Sequence, residues 1–128
     1  MESFEIHTSF PVAPEVLYHA WLNSKIHSAM TGTEAEIDPQ PEGVFRIFGG
    51  YISGKNIEMI PGEKIVQKWR TTDFPVNSPD SVLKIIFEKT GKSTKMTIRH
   101  TKIPDGQAKD YRQGWQEYYF QPMKLYFG

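Results

Sequence analysis

The chain has 128 residues, 15 of them basic and 15 acidic, and it contains no cysteine. This length suits one domain over residues 1–128, large enough to fold without a disulfide or a metal. Balanced charge argues against nucleic-acid binding, which usually needs a basic excess. With no cysteine, no signal-peptide pattern and no apolar window near the ~20 residues that cross a bilayer, we expect a cytoplasmic protein that does not bind membranes.

The first part of the chain predicts one strand and two short helices. Residues 4–10 alternate apolar and polar side chains, the period of a half-buried strand. Pro14 suits a first helical position, and apolar residues follow at helical spacing: Val16, Leu17, Ala20 and Trp21. A second helix is predicted over residues 24–31, ending at Gly32.

The middle of the chain predicts an antiparallel sheet of about six strands. Short β-prone runs alternate with turns rich in proline and glycine, a pattern typical of consecutive hairpins. The predicted strands cover residues 44–48, 51–59, 65–71, 82–88 and 93–101. The acidic residues near position 36 are interpreted as a solvated face in or beside a turn.

The last part predicts one long helix over residues 107–127. Its apolar stripe on a 3.6-residue wheel consists of Ala108, Tyr111, Trp115, Tyr119, Pro122 and Tyr126, with Tyr118 at its edge. Pro122 removes one helical hydrogen bond and predicts a kink. Together the elements predict an α+β protein, in the order β-α-α-β(about 6)-α, whose curved antiparallel sheet wraps around the C-terminal helix.

The final two helical turns carry more apolar residues than one buried stripe needs. Phe120, Met123, Leu125 and Phe127 widen the apolar arc. Two interpretations stay open. The two short helices cover this flank, or Phe120, Met123 and Phe127 form a surface for a partner protein or a second copy of the chain.

The sequence offers little support for catalysis, a metal or a cofactor. The four histidines show no ligand spacing, and no Gly-x-Ser-x-Gly elbow is present. A Gly-Lys-Ser run at residues 91–93 lacks the first glycine of a phosphate-binding loop and is interpreted as a hairpin turn. His100 shares an inward face with Met96 and Ile98, and is either a core histidine bonded to a tyrosine or backbone group, or a polar group in a ligand cavity.

Two motifs resemble a known family. Phe48-Gly49-Gly50, followed by Gly54, Glu58, Pro61 and residues 65–70 (Ile-Val-Gln-Lys-Trp-Arg), is similar to the middle of the C-terminal domain of the activator of Hsp90 ATPase. Residues 112–120 (Arg-Gln-Gly-Trp-Gln-Glu-Tyr-Tyr-Phe) resemble the last helix of that domain. The resemblance implies the helix-grip fold of the START-like superfamily, which agrees with the element order.

The resemblance also implies a function. We expect a non-enzymatic binding module that contacts an Hsp90-class chaperone, without the separate N-terminal docking domain of the family. The alternative is a carrier or sensor of a small apolar ligand held between sheet and helix. That cavity would be lined by Trp21, Phe45, Trp69, Ile85, His100, Tyr111, Trp115 and Tyr119.

Overall fold

Seven antiparallel strands form one curved sheet in the computed structural model, which describes residues 1–128. Neighbouring strands lie in the order β1-β7-β6-β5-β4-β3-β2, so the chain's first strand pairs with its last. The strands are β1 (Glu2–Phe10), β2 (Ala35–Ile37), β3 (Val44–Ile47), β4 (Ile52–Ile60), β5 (Lys64–Thr71), β6 (Ser81–Thr90) and β7 (Ser93–Ile103).

Two short helices connect β1 to β2, and they lie where the sequence predicts them. Helix α1 spans Pro14–Leu22 and helix α2 spans Ser24–Thr31. Asn23 caps α2, because its side chain accepts a hydrogen bond from the backbone N–H of Ile26 at 3.0 Å. Helix α2 ends at Gly32, whose φ of 73° is the left-handed conformation that favours glycine.

The sequence did not reveal strand β2. It has only three residues, and its register pairs Ala35 with Ile47 and Glu36 with Arg46 at the edge of the sheet. A strand this short shows too little alternation to be separated from a turn. With β2 included, six strands follow the helices, as predicted.

The centre of the sheet supplies the most completely buried part of the core. Leu83 and Ile85 of β6 and Met96 and Ile98 of β7 have no exposed surface, and neither does Ile65 of β5. These residues alternate with more exposed neighbours along each strand, as a sheet with one buried face requires. The inward face predicted for Met96, Ile98 and His100 of β7 is therefore confirmed.

A continuous C-terminal helix of residues 108–127 lies against this face of the sheet. It consists of α3 (Ala108–Gly114), a wide π-helical segment (Trp115–Phe120) and α4 (Gln121–Phe127). Within the wide segment the N–H of Gln121 donates to the carbonyl of Gln116, five residues back. The irregularity expected at Pro122 takes this form, since a wider turn moves the proline ring away from the carbonyl with which it would collide.

The π-helical segment changes which residues face the core. One extra residue in a turn rotates every later side chain by about 100° relative to an uninterrupted α-helix. Met123 therefore has no exposed surface, whereas Tyr126 is 49% exposed. The predicted stripe is correct up to Tyr119 and wrong after it, because Met123 and the half-buried Phe127 take the inward positions expected for Pro122 and Tyr126.

Candidate functional site

The space between the sheet and the first half of the C-terminal helix is open to solvent. This aromatic groove has a volume of about 420 Å³, and eight of its ten lining residues are hydrophobic. Seven of the ten are aromatic. The lining residues are Phe48, Tyr51, Ile52, Trp69, Asp110, Tyr111, Gly114, Trp115, Tyr118 and Tyr119.

A left-handed turn between β3 and β4 places one wall of the groove. Phe48, Gly49 and Gly50 have φ values of 57°, 63° and 97°. A bulky residue in this region is strained, at a cost on the order of 1–3 kcal/mol. The strained backbone holds the Phe48 ring 6.0 Å from that of Tyr118, at 81° between planes, so the turn and the helix meet at the groove.

A ring of hydrogen bonds fixes the opposite end of the groove. The Tyr111 hydroxyl donates to Gln107 Oε1 at 2.6 Å, so the Thr71 hydroxyl is the donor in its own 2.6 Å contact with Tyr111. Gln107 Nε2 donates to the backbone carbonyl of Asp73 at 3.0 Å, and the Tyr51 hydroxyl donates to the Asp73 carboxylate at 2.6 Å. These bonds tie the loop after β5 to the start of the helix.

Three of the four groove tyrosines are held in the neutral form. Burial, helped by the hydrogen bond to Asp73, raises the pKa of Tyr51 to about 12. Burial also raises the pKa values of Tyr111 and Tyr119. Because phenolates are disfavoured, these side chains offer apolar ring faces and hydroxyl dipoles rather than negative charge.

The floor of the groove is the central aromatic cluster of the core. The Trp115 ring stacks on that of Trp21 at 5.4 Å, 17° from parallel, and lies 4.3 Å from that of Tyr119. Trp115 is 2% exposed, and its indole N–H has no hydrogen-bond partner within the protein. A buried donor without a partner costs about 1–3 kcal/mol, so an acceptor that reached it would be favoured.

Two histidines are buried in the neutral form near this cluster. Ser81 Oγ donates to the Trp69 carbonyl, so the 2.7 Å contact between Ser81 and His100 needs a proton on His100 Nε2. His27 Nδ1 likewise donates to the Trp21 carbonyl at 2.9 Å. Burial lowers the pKa of His27 to about 4 and that of His100 to about 3.

The structure brings together half of the cavity residues expected from the sequence. Trp69, Tyr111, Trp115 and Tyr119 line the groove. The other four lie in the packed core: Trp21, Phe45, Ile85 and His100. Phe45 fills the space beside Gly54, since a Cβ at residue 54 would lie 2.6 Å from its Cζ atom. His100 is a core histidine bonded to a serine rather than to a tyrosine or backbone group.

The partner surface expected from the sequence is wrong at two of its three positions. Phe120 is 3% exposed and Met123 is fully buried, while Phe127 is half-buried with its ring 6.0 Å from Phe10. Helix α2 packs against α4 and covers this flank, as the other interpretation expected.

Sequence reasoning missed most of the residues at the opening of the groove. Phe48 was recognised only as part of a motif and Tyr118 only as the edge of a stripe. Gly114 was likewise only part of a motif. Asp110 and Tyr51 gave no signal, because their shared position depends on how the turn before β4 faces the helix. No three His, Cys, Asp or Glu side chains are placed to hold a metal ion. None of the helices is long and apolar enough to cross a membrane.

Residues 11–128 match the family described as activator of Hsp90 ATPase homolog 1-like protein. The chain belongs to this family. The human activator of 90 kDa heat shock protein ATPase homolog 1 is 30% identical over 120 residues, which are 94% of this chain and 35% of the human protein. The chain thus spans about a third of the length of its curated relatives.

Solved structures of activators share the fold. The crystal structure of an HSP90 activator from Plasmodium falciparum matches with a TM-score of 0.91 and 27% identity, covering 98% of this chain and 96% of that one. The solution structure of the Aha1 dimer from Colwellia psychrerythraea matches with a TM-score of 0.81 at 13% identity, covering 99% and 96%. At that identity the second likeness shows the helix-grip fold alone.

Proposed function

We propose that this chain is a non-enzymatic binding module that contacts an Hsp90-class chaperone and alters the rate of its ATPase. The observation that carries the proposal is the family match over residues 11–128. Relatives similar over this region are named as activators or co-chaperones of Hsp90 rather than as enzymes. Since the chain spans about a third of the human relative, the proposal concerns what this region does alone.

The exposed side of the last helical turn is the contact surface that we propose. Leu125 is 88% exposed and Tyr126 is 49% exposed, so adjacent apolar side chains face solvent at the end of α4. Aromatic residues are enriched in interfaces, and the buried centres of interfaces are apolar. Burying these side chains against a partner would remove their apolar surface from water.

The proposal is tested with the purified chain and the Hsp90-class chaperone of the same organism. We expect saturable binding by calorimetry and a change in steady-state ATPase activity that an inhibitor of the chaperone abolishes. Leu125→Ser should weaken binding about tenfold, because it removes the most exposed apolar side chain of the proposed contact surface. Val76→Ser is the matched control, because Val76 is a 94% exposed apolar residue in the loop after β5.

Two results would contradict this proposal. Absence of binding at high micromolar concentrations of both proteins would remove the chaperone as a partner. If sedimentation instead shows a dimer that Leu125→Ser dissociates, the surface serves a second copy of the chain.

A carrier or sensor of a small molecule is the second candidate function. The observation in its favour is the groove of about 420 Å³ with eight hydrophobic lining residues. This volume falls within the range of about 300–1,000 Å³ typical of ligand sites. The groove lies along the first half of the helix, so occupancy of the groove and contact at Leu125 can be measured separately.

A further inference from the structure

The walls of the aromatic groove are rings set at steep angles to one another. The Phe48 and Tyr118 rings are 81° apart, and the Trp69 and Tyr111 rings are 77° apart with centroids at 5.0 Å. Such walls present π faces and edges around a space rather than one flat stack. The face of an aromatic ring carries a partial negative charge that attracts organic cations.

The charged side chain that lines the groove is acidic. Asp110 is the only charged lining residue, and it is exposed. None of the five ion pairs of the protein includes Asp110. The Asp73 carboxylate accepts a hydrogen bond from the Tyr51 hydroxyl. The nearby Arg70 is engaged elsewhere, since it pairs with Asp80 at 2.8 Å.

Gly114 keeps the middle of the groove empty at a cost to the helix. Its φ and ψ of −58° and −39° are ordinary helical values, so the backbone does not require glycine. A Cβ there would meet only the Tyr118 Cδ2 atom, at 3.8 Å, an ordinary contact, so packing does not require glycine either. Glycine inside a helix costs roughly 0.5–1 kcal/mol relative to alanine. What glycine does provide is open space between the rings of Tyr111 and Tyr118.

We propose that the aromatic groove binds a small organic cation, such as a quaternary or alkylated ammonium group on an apolar body. The cation lies against the Phe48, Tyr111 and Tyr118 rings, and the Asp110 carboxylate balances its charge at the rim. The strained turn at Phe48 brings one of these rings to the site. The proposal deepens the second candidate function, the small-molecule carrier or sensor, and is independent of chaperone binding.

Benzyltrimethylammonium is the first probe. Its binding is measured by NMR titration, from the chemical shifts of the backbone and indole N–H groups. A ligand of this size in an open groove should bind with a dissociation constant of about a few millimolar. We expect the largest shifts at Gly114 and at the indole N–H groups of Trp69 and Trp115. The third indole, Trp21, does not line the groove and should shift less.

A charged and a neutral ligand of the same shape separate cation recognition from apolar burial. Choline and 3,3-dimethylbutan-1-ol differ in the exchange of the ammonium nitrogen for carbon. Choline should bind about two- to fivefold more tightly, the range for cation–π contact at an exposed site. Equal affinities would overturn the proposal and leave an apolar ligand site.

Matched variants locate the site without disturbing the core. Asp110→Asn should weaken benzyltrimethylammonium about two- to fivefold, as should Tyr118→Leu, which retains apolar bulk but removes the ring. Glu117→Gln and Tyr126→Leu are the controls, being an exposed acid and an exposed tyrosine of the same helix outside the groove. Gly114→Leu should abolish binding while the protein still melts cooperatively.

Three outcomes would overturn the proposal independently of the chaperone assay. They are no groove shifts at about 50 mM probe, equal weakening by the test and control variants, and unchanged binding in Gly114→Leu. Loss of chaperone binding in Tyr118→Leu without any cation binding would assign the groove to a protein partner instead. The chaperone proposal is decided by binding of the chaperone and by Leu125→Ser, neither of which involves the groove, so the two failures are distinguishable.

Discussion

The two halves of the C-terminal helix both carry aromatic residues on their inward side, but their surroundings differ. No residue of α3 is buried, and its side chains border the open groove. Beyond Gly114, Trp115, Tyr119, Phe120 and Met123 are all at most 5% exposed. One helix therefore provides both the centre of the core and the edge of a ligand-sized opening.

The difference arises from what covers each half. Helix α2 packs against α4, and the Trp21 ring of α1 stacks on Trp115. No helix covers the side of α3 that borders the groove, which instead faces the Phe48 turn and the loop after β5. The comparison teaches that an aromatic residue on the inward stripe can belong either to the core or to the wall of an opening. Whether such a residue is buried depends on whether α1 or α2 covers it.

Truncation at the packed half should have the largest effect. Trp115→Ala removes a buried indole that contacts Trp21, Tyr119 and Phe120. The free energy of unfolding should fall by about 3–5 kcal/mol. Denaturant titration measures it, and a change near zero would mean that the indole is not in the core.

Two substitutions in α4 compare a buried and an exposed position that lie two residues apart. Met123 is fully buried and Leu125 is 88% exposed. Met123→Ala should therefore cost about 2–5 kcal/mol, and Leu125→Ala should change stability by no more than about 0.5 kcal/mol. Stability is measured by thermal and denaturant unfolding. Equal losses in the two variants would contradict the inward position of Met123 that follows from the π-helical segment.

Acidification should weaken both halves, since each lies near one buried neutral histidine. His27 contacts Trp21, and His100 lies against Trp69. Their folded pKa values, about 4 and about 3, lie below the ordinary value of 6.5. The unfolded chain therefore binds more protons between pH 6.5 and those values, and stability is lost as the pH falls through that window.

At pH 5 the free energy of unfolding should be lower by about 2 kcal/mol for each histidine than at neutral pH. Stability measured by denaturant titration from pH 7.5 to 4.5 checks it. In His100→Leu, which removes one of the two groups, the slope against pH should be about half as steep between pH 6 and 5. A flat profile in the unsubstituted protein would show that neither histidine is held neutral.

The smallest expected effect is a gain in stability from a substitution at Gly114, where the two halves of the helix meet. Gly114→Ala should stabilise the protein by about 0.5–1 kcal/mol, because the helical backbone and the open space both accept a methyl group. Differential scanning calorimetry measures the gain. A loss of stability would mean that the glycine serves packing rather than the groove.

The order of the elements was predictable because each carries a clear local signal. Pro14 and Gly32 mark helix ends, and the alternation around Ile98 indicates the inward face of β7. Strand β2 was missed because three residues cannot show a period. The phase error after Tyr119 has a different cause. A sequence wheel assumes a constant pitch, and the wide turn before Pro122 breaks that assumption.

The candidate site was less predictable than the fold. The sequence pattern of an inward-facing aromatic residue is the same whether it meets a neighbour or an open space, so Trp21 and Trp69 could not be told apart. Asp110 and Gly114 resemble ordinary surface helix residues until the Phe48 turn is placed opposite them. The groove is formed by contacts between segments that are distant in the sequence. The periodicity of a sequence indicates only the local structure of each segment.

Cysteine labelling of the last helix tests the packing of its two sides most directly, because the chain has no cysteine of its own. Single cysteines at positions 118, 120, 123 and 126 would be reacted with a thiol reagent under native conditions. Tyr118→Cys and Tyr126→Cys should react at close to the rate of the unfolded chain, and Phe120→Cys and Met123→Cys at least about a hundredfold more slowly. Protection at 126 together with rapid reaction at 123 would show an uninterrupted α-helix and contradict this description of the core.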